Sequence, residues 1–313
     1  MATATIEAPA RSAAGQAPRP KKRRRGPLSA PFAFIIPAAV LYAFVVLWPS
    51  LQGVGYAFTN WDGLSQTKHF VGMHEFAAVF HDQQARSALV HSLLFALIVT
   101  VVQNAIGLAL ALGVNSRIKS RNMLRVFLFA PAVITPVTAA YLWQYLLTPA
   151  GTLNELLGWI GLGRFQQNWL GDPNIALWSI GLIVVWEYSG YSMVIYLAGL
   201  QGVPGETIEA SLVDGAGPWR RFWSVIRPEL APATTINLML SLIAGFKMFD
   251  QVQVTTGGGP GYATETLSTE IYKNVFQFGK FGYGIALALM LTVCVAVVSL
   301  LQYAALNRNA RKA

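Results

Sequence analysis

The chain has 313 residues, of which 54% are hydrophobic and only 12% charged, and its mean hydropathy is +0.46. Soluble domains carry roughly 25% charged residues, so this composition excludes an ordinary water-soluble globule and points to a chain built for lipid. The net charge of +9 falls on particular connections rather than on one face, which argues against a nucleic-acid binder.

Residues 1–30 are rich in Ala, Pro and basic residues, including the KKRRR run at 21–25, and lack apolar periodicity, so they read as a disordered basic tail. The apolar stretch that follows is much longer than a signal h-region of about 7–15 residues and has no small-residue cleavage pattern, so no cleaved signal is expected. Residues 31–58, 88–114, 126–147 and 281–306 contain no charge; 174–200 contains only Glu187, and 231–254 only Lys247 and Asp250. About 20 apolar residues cross the ~30 Å hydrocarbon core, and lipid leaves backbone groups no partner outside a helix. The expectation is an all-α membrane protein with six transmembrane helices. The first helix and an external segment occupy 31–87, a five-helix core 88–304, and a short tail 305–313. Cys294, the single cysteine, lies in the last span and reads as a packing residue; no Cys/His cluster has metal-ligand spacing.

Basic residues alternate between connections. The two tails with the second-to-third and fourth-to-fifth connections carry seventeen Lys and Arg, and the other connections five. By the positive-inside rule both termini are cytoplasmic, and the KKRRR run is a topology anchor.

Ionisable groups within a span are costly and face a protein interior or a water-filled cavity. Glu187 lies at mid-span beside Trp186 and Tyr188, with Gly190 and Tyr191 close by; Lys247 and Asp250, three residues apart, share a face of the fifth span. One reading is a polar path on which the Trp and Tyr rings stack against a sugar. The other is local pairing of Lys247 with Asp250 and snorkelling to the interface. Glu187 is too deep to snorkel, and its charge needs either Lys247 or water in a central cavity. Trp143 and Tyr145 near the outer end of the third span suit an aromatic belt, and Tyr141 either a belt or a cavity. Gly107 and Gly113 suit close helix packing.

Between the fourth and fifth spans runs a charged, helix-forming loop. Pro204 and Gly205 open it, Glu206 and Glu209 fall in its first turns where negative charge complements the helix dipole, and Gly215 with Gly217-Pro218 ends it. Ala210 and Ser211 are small enough for a partner to approach closely. An ordinary solvated loop is the plainer reading, but the spacing says more. Glu209, Ala210, Ser211, Gly215 and Pro228, with Val225 at the family's Ile position and Arg227 at its Leu position, resemble the EAA loop of the membrane subunits of binding-protein-dependent ABC importers, and the likeness makes Glu206 and Asp214 coupling residues with them. A second stretch, FDQVQVTTGGGPGYATETL at 249–267, is similar to an external segment of sugar-type permeases. It reads as a sharp turn followed by a short helix to about Phe278, capped by Thr264 or Thr266. The FTNWDG exit at 58–63 adds a likeness to maltose-type and glycerol-phosphate-type permeases.

The resemblance implies a type-I importer permease with a cytoplasmic coupling helix between spans four and five. It also implies a second permease subunit, two ATPase subunits, an external solute-binding protein and a carbohydrate substrate. No GxxxxGK[ST] occurs, so ATP would be bound by the partners, no cofactor is expected here, and the chain would not be an enzyme. The rival from another class is a proton-coupled secondary transporter using Glu187 and Lys247.

Overall fold

The computed structural model describes residues 30–116 and 119–310. The tail through residue 29 with its basic run, Arg117, and residues 311–313 lie outside the described residues. The chain divides into two compact units, Met1–Leu51 and Gln52–Ala313. In the first, α1 (Ala30–Tyr42) passes through a π turn at Ala43–Leu47 into the start of α2 (Trp48–Tyr56). The widening has a local cause. Pro49 lacks an N–H, and its ring would strike the carbonyl four residues back, inside that turn.

In the second unit α3 (His74–His81) precedes α4 (Gln83–Val114). α4 starts ahead of the charge-free run because the Asp82 carboxylate accepts from the Gln84 N–H at 2.8 Å and caps it. Then come α5 (Arg121–Phe129), α6 (Pro136–Leu146), α7 (Thr152–Trp159) and α8 (Ala176–Gln201), and next α9 (Gly205–Val213), α10 (Pro218–Arg221) and α11 (Arg227–Glu229). α12 (Ala231–Phe246), α13 (Asp250–Thr255), α14 (Leu267–Tyr272) and α15 (Phe281–Ala310) complete it. Among the described residues the only β pairing is an isolated bridge between Thr59 and Phe70.

Among the described residues five runs are long and apolar enough to cross a membrane: Phe34–Tyr56, Gln83–Val114, Ala176–Gln201, Ala231–Thr255 and Phe281–Leu306. The third expected span is not one straight helix. Arg121–Val133 and Pro136–Leu146 meet at 95°. Thr135 precedes Pro136 and is therefore driven out of the helical region, to ψ 143°, where its hydroxyl accepts from the Thr138 N–H and starts α6 afresh.

α8 is the central helix: 67% of its most apolar stretch is buried, against 17% for α15. Lipid is as apolar as leucine, so these helices associate through close van der Waals packing and interhelical hydrogen bonds. Gly107 supplies the closeness between α4 and α8, since a Cβ there would lie 2.5 Å from the Ser192 Cβ. Gly245 does the same for α12 on α4, where a Cβ would lie 2.7 Å from the Ala96 Cα. Gly113, expected to pack likewise, faces open space.

Polar side chains stitch the same three helices. Gln103 Nε2 donates to Ser192 Oγ at 2.8 Å, and that hydroxyl donates to Asn237 Oδ1 at 3.1 Å. Asn104 Nδ2 donates to Ser241 Oγ at 2.8 Å, and Asn104 Oδ1 accepts from the Tyr196 hydroxyl at 2.9 Å.

Candidate functional site: a bundle cavity and the loop after α8

A cavity of about 360 Å³ opens among α4, α8 and α12. Its polar lining is Gln103, Asn237, Ser241, Tyr188 and Tyr191, and among the described residues no charged one lines it. The amide and hydroxyl groups come from the stitched network, so their positions are fixed by partners within the protein. Tyr191 is 45% exposed, which leaves its ring free for a ligand.

Of the residues expected to line a path, Tyr188 and Tyr191 do. Glu187 does not. It is 1% exposed, and its Oε2 accepts from Gln251 Nε2 on α13 at 2.8 Å. The partner of that carboxylate is therefore an amide 64 residues away, not Lys247. Trp186 packs edge-on against Trp143, ring centroids 5.4 Å apart, so Trp143 serves that contact more than a belt. Tyr145 and Tyr141 are exposed. Gly190 lies against the backbone of Leu128 and Phe129, where a Cβ has no room.

Lys247 and Asp250 do not share a helix face. α12 ends at Phe246, Lys247 is its C-cap, and Phe249 at φ −131°, ψ −57° breaks the run before α13 begins at Asp250. Lys247 is exposed and Asp250 half-buried. Among the described residues the ion pair is Lys273 with Glu265, not Lys247 with Asp250.

Gln103, Asn237 and Ser241 were missed by a sequence reading that weighed only charges within spans. Their signal is nonetheless present: uncharged hydrogen-bonding side chains are also expensive in lipid unless they meet a partner or a cavity.

The loop after α8 folds much as its sequence asks. α9 runs Gly205–Val213, Asp214 follows as the C-cap, and Gly215 takes φ +71° while the Ala216 N–H closes onto the Ser211 carbonyl at 3.0 Å. Glu206, Glu209, Ala210, Asp214 and Gly215 are exposed. Ser211 is not: it is 8% exposed, and its hydroxyl donates to the Ile208 carbonyl at 2.6 Å. Its small size therefore serves packing beneath α9. Pro228 acts on the other side of the loop. A π turn at Phe222–Ile226 precedes it, the same relation as at Pro49. On this turn Trp223 carries the Arg227 guanidinium 5.0 Å from its ring centroid.

The 256–267 stretch is more than a turn. The Thr256 and Thr264 hydroxyls lie 2.7 Å apart, and Thr264 also donates to the Gly259 carbonyl at 2.7 Å. Gly258, at φ +91°, lies where a Cβ would strike the Glu265 carboxylate. Glu265 is fully buried and receives Lys273 Nζ. Of the two threonines expected to cap the next helix, Thr266 does so, in a reciprocal box with Thr269. The Leu267 N–H donates to Ser92 Oγ on α4 at 2.8 Å. Burial raises the carboxyl pKa of Glu270 on α14, and the hydrogen bond from Asn274 works against that rise.

Comparison with known proteins follows the same outline. The permease protein AmyD of Thermoanaerobacterium thermosulfurigenes, from a probable starch degradation products transport system, is 32% identical over 272 residues, covering 86% of this chain and 91% of that one. MsmF of Streptococcus mutans, from a multiple sugar-binding transport system, is 30% identical over 275 residues, covering 87% and 93%. A bacterial ABC transporter involved in alginate import shares the fold, with a TM-score of 0.76 at 21% identity over 90% of this chain and 94% of that one. The family model described as binding-protein-dependent transport system inner membrane component matches residues 103–311, a span that holds the α9 loop and every named cavity residue from Gln103 onward. That match displaces the proton-coupled secondary transporter as an account of Glu187 and Lys247. This chain belongs to the family of inner-membrane components of binding-protein-dependent transport systems.

Proposed function

We propose that this permease conducts a neutral carbohydrate through the cavity among α4, α8 and α12. The observation that carries the reading is the lining itself: amide and hydroxyl groups held by partners, two tyrosine rings, and no Lys, Arg, Asp or Glu. Hydrogen-bonding groups match sugar hydroxyls, and aromatic faces match the apolar faces of a pyranose. The transport systems of AmyD and MsmF, for starch degradation products and multiple sugars, agree with it. A phosphorylated or acidic ligand would leave its charge without a counter-ion there.

In this reading the chain crosses the cytoplasmic membrane six times, the third crossing being the bent pair, with both termini cytoplasmic. The connections at 58–87, 148–173 and 255–280 face outward and meet an external solute-binding protein. α9 is the coupling helix, presenting Glu206, Glu209, Ala210, Asp214 and Gly215 to one of two ATPase subunits that bind the ATP. Ser211 and Pro228 hold its base. A second permease subunit closes the other side of the path. Trp186, Glu187, Lys247 and Asp250 support the path from behind or at its end and do not line it.

The test is uptake of labelled maltose, maltotriose and glycerol phosphate in cells lacking this chain and complemented with wild type or Asn237→Leu. Wild type should restore sugar uptake and Asn237→Leu should not, at equal abundance. Restoration of glycerol phosphate uptake alone would overturn the reading.

A further inference from the structure

An apolar groove of about 460 Å³ lies away from both the cavity and α9, walled by α3, α4 and α15. Phe76, Phe80, Leu89, Leu287, Met290 and Val293 form its sides, and among the described residues Arg86 is its only charged lining residue. Arg86 is exposed and has no carboxylate partner among the described residues. The nearest candidate, Asp82 one turn earlier, is committed: its Oδ1 accepts from the Gln84 N–H and its Oδ2 from the Tyr283 hydroxyl at 2.7 Å. Nor does Arg86 serve its own helix, because it sits in the first turn of α4, where a cation opposes the dipole. On its other side Gln83, Ser87 and His91 form a polar recess.

The level and depth are specific. α4 is free of charge from the residue after Arg86 onward, so the guanidinium stands where headgroups meet hydrocarbon. The groove follows α15 from Leu287 to Val297. Those ten residues rise about 15 Å, half the ~30 Å core, which is the reach of one acyl chain from headgroup to midplane.

We infer that this groove seats one membrane phospholipid, with its phosphate on Arg86 and an acyl chain along α15. The unpaired guanidinium supplies charge complementarity to a phosphate, and the apolar walls match a hydrocarbon chain beneath it.

The test uses the whole transporter in nanodiscs containing phosphatidylglycerol with a diazirine in its acyl chain, with adducts mapped by peptide mass spectrometry. Adducts should concentrate on 76–89 and 287–297. Arg86→Gln should lower their yield about tenfold (about 1.4 kcal/mol). Val293→Trp, at a position 61% exposed and so tolerant of bulk, should fill the groove and abolish them while assembly persists. Equal labelling by a phosphate-free diacyl glycolipid probe would overturn the phosphate seat. Labelling spread evenly over all lipid-facing helices would overturn the groove. A photoreactive phenylalanine introduced at Val293 that captured residues 30–51 or the second permease instead of lipid would show that protein covers it, and would equally refute the inference.

Discussion

Gly107→Ala is the sharpest probe of how the bundle is held. The new methyl would lie 2.5 Å from the Ser192 Cβ and 3.1 Å from the Met193 nitrogen, whereas carbons rest about 3.5–4.0 Å apart. Either α4 and α8 separate or Ser192 moves, and Ser192 Oγ is the link between Gln103 and Asn237. Overpacking costs about 1–3 kcal/mol, and a lost interhelical hydrogen bond in a membrane about 0.6 kcal/mol. Alanine's helix propensity returns about 0.5–1 kcal/mol, for a net loss of about 0.6–3 kcal/mol. Gly113→Ala on the same helix meets nothing within 4 Å and should keep only the propensity gain, about 0.5–1 kcal/mol. Thermal unfolding of the two purified variants in one detergent should therefore move their midpoints in opposite directions. Equal shifts of the same sign would refute the claim that closeness at Gly107 binds α4 to α8.

Gln251→Leu removes the hydrogen bond to buried Glu187 and should cost about 1–3 kcal/mol, the penalty of leaving a buried acceptor unsatisfied. Adding Glu187→Leu should restore abundance on a membrane-fraction blot, and failure to do so would mean the pair is not coupled. Lys273→Met leaves Glu265 buried and unpaired and should cost about 3–5 kcal/mol, rescued by Glu265→Gln in the same thermal assay. Glu270, its pKa raised by burial, gives the fold a stability contribution that is complete below the ordinary carboxylate value of 4.5 and is lost as pH rises through the higher folded value. A Glu270→Gln variant should lack that decline, so its midpoint should gain on wild type with rising pH. Gly215→Val forces a branched side chain into φ +71°, costing about 1–2 kcal/mol locally. It should cut ATP-driven uptake while Gly205→Ala, in open space, leaves it intact.

The long helices were legible because apolar runs of membrane length have one stable backbone solution, and α9 because Pro204, Gly205 and Gly215 punctuate it locally. Thr266 was legible as a cap for the same reason. The 95° bend was marked by Pro131 and Pro136, but hydropathy averages across both and sees one span. The pairing of Glu187 with Gln251, and of Gln103 with Ser192 and Asn237, depends on which helix faces meet, and no local pattern encodes that. Lys247 and Asp250 misled for the opposite reason: their spacing fits one helix face, yet the backbone breaks at Phe249 between them.

The bond between Leu267 and Ser92 bears on how the chain is made. α4 leaves the ribosome long before residues 256–267 exist, carrying Ser92, Gln103 and Asn104 into the bilayer. Their partners arrive stepwise: Ser192 and Tyr196 with α8, Ser241 with α12, and finally the Leu267 N–H for Ser92. Until then α4 holds polar groups in hydrocarbon with only its own backbone to meet them, as Asn104 does with the Thr100 carbonyl. A nascent chain stalled before α12 would leave Asn104 Nδ2 without Ser241 and Ser92 Oγ without the Leu267 N–H. A late truncation would therefore leave its mark on α4, a helix made well before the missing segment.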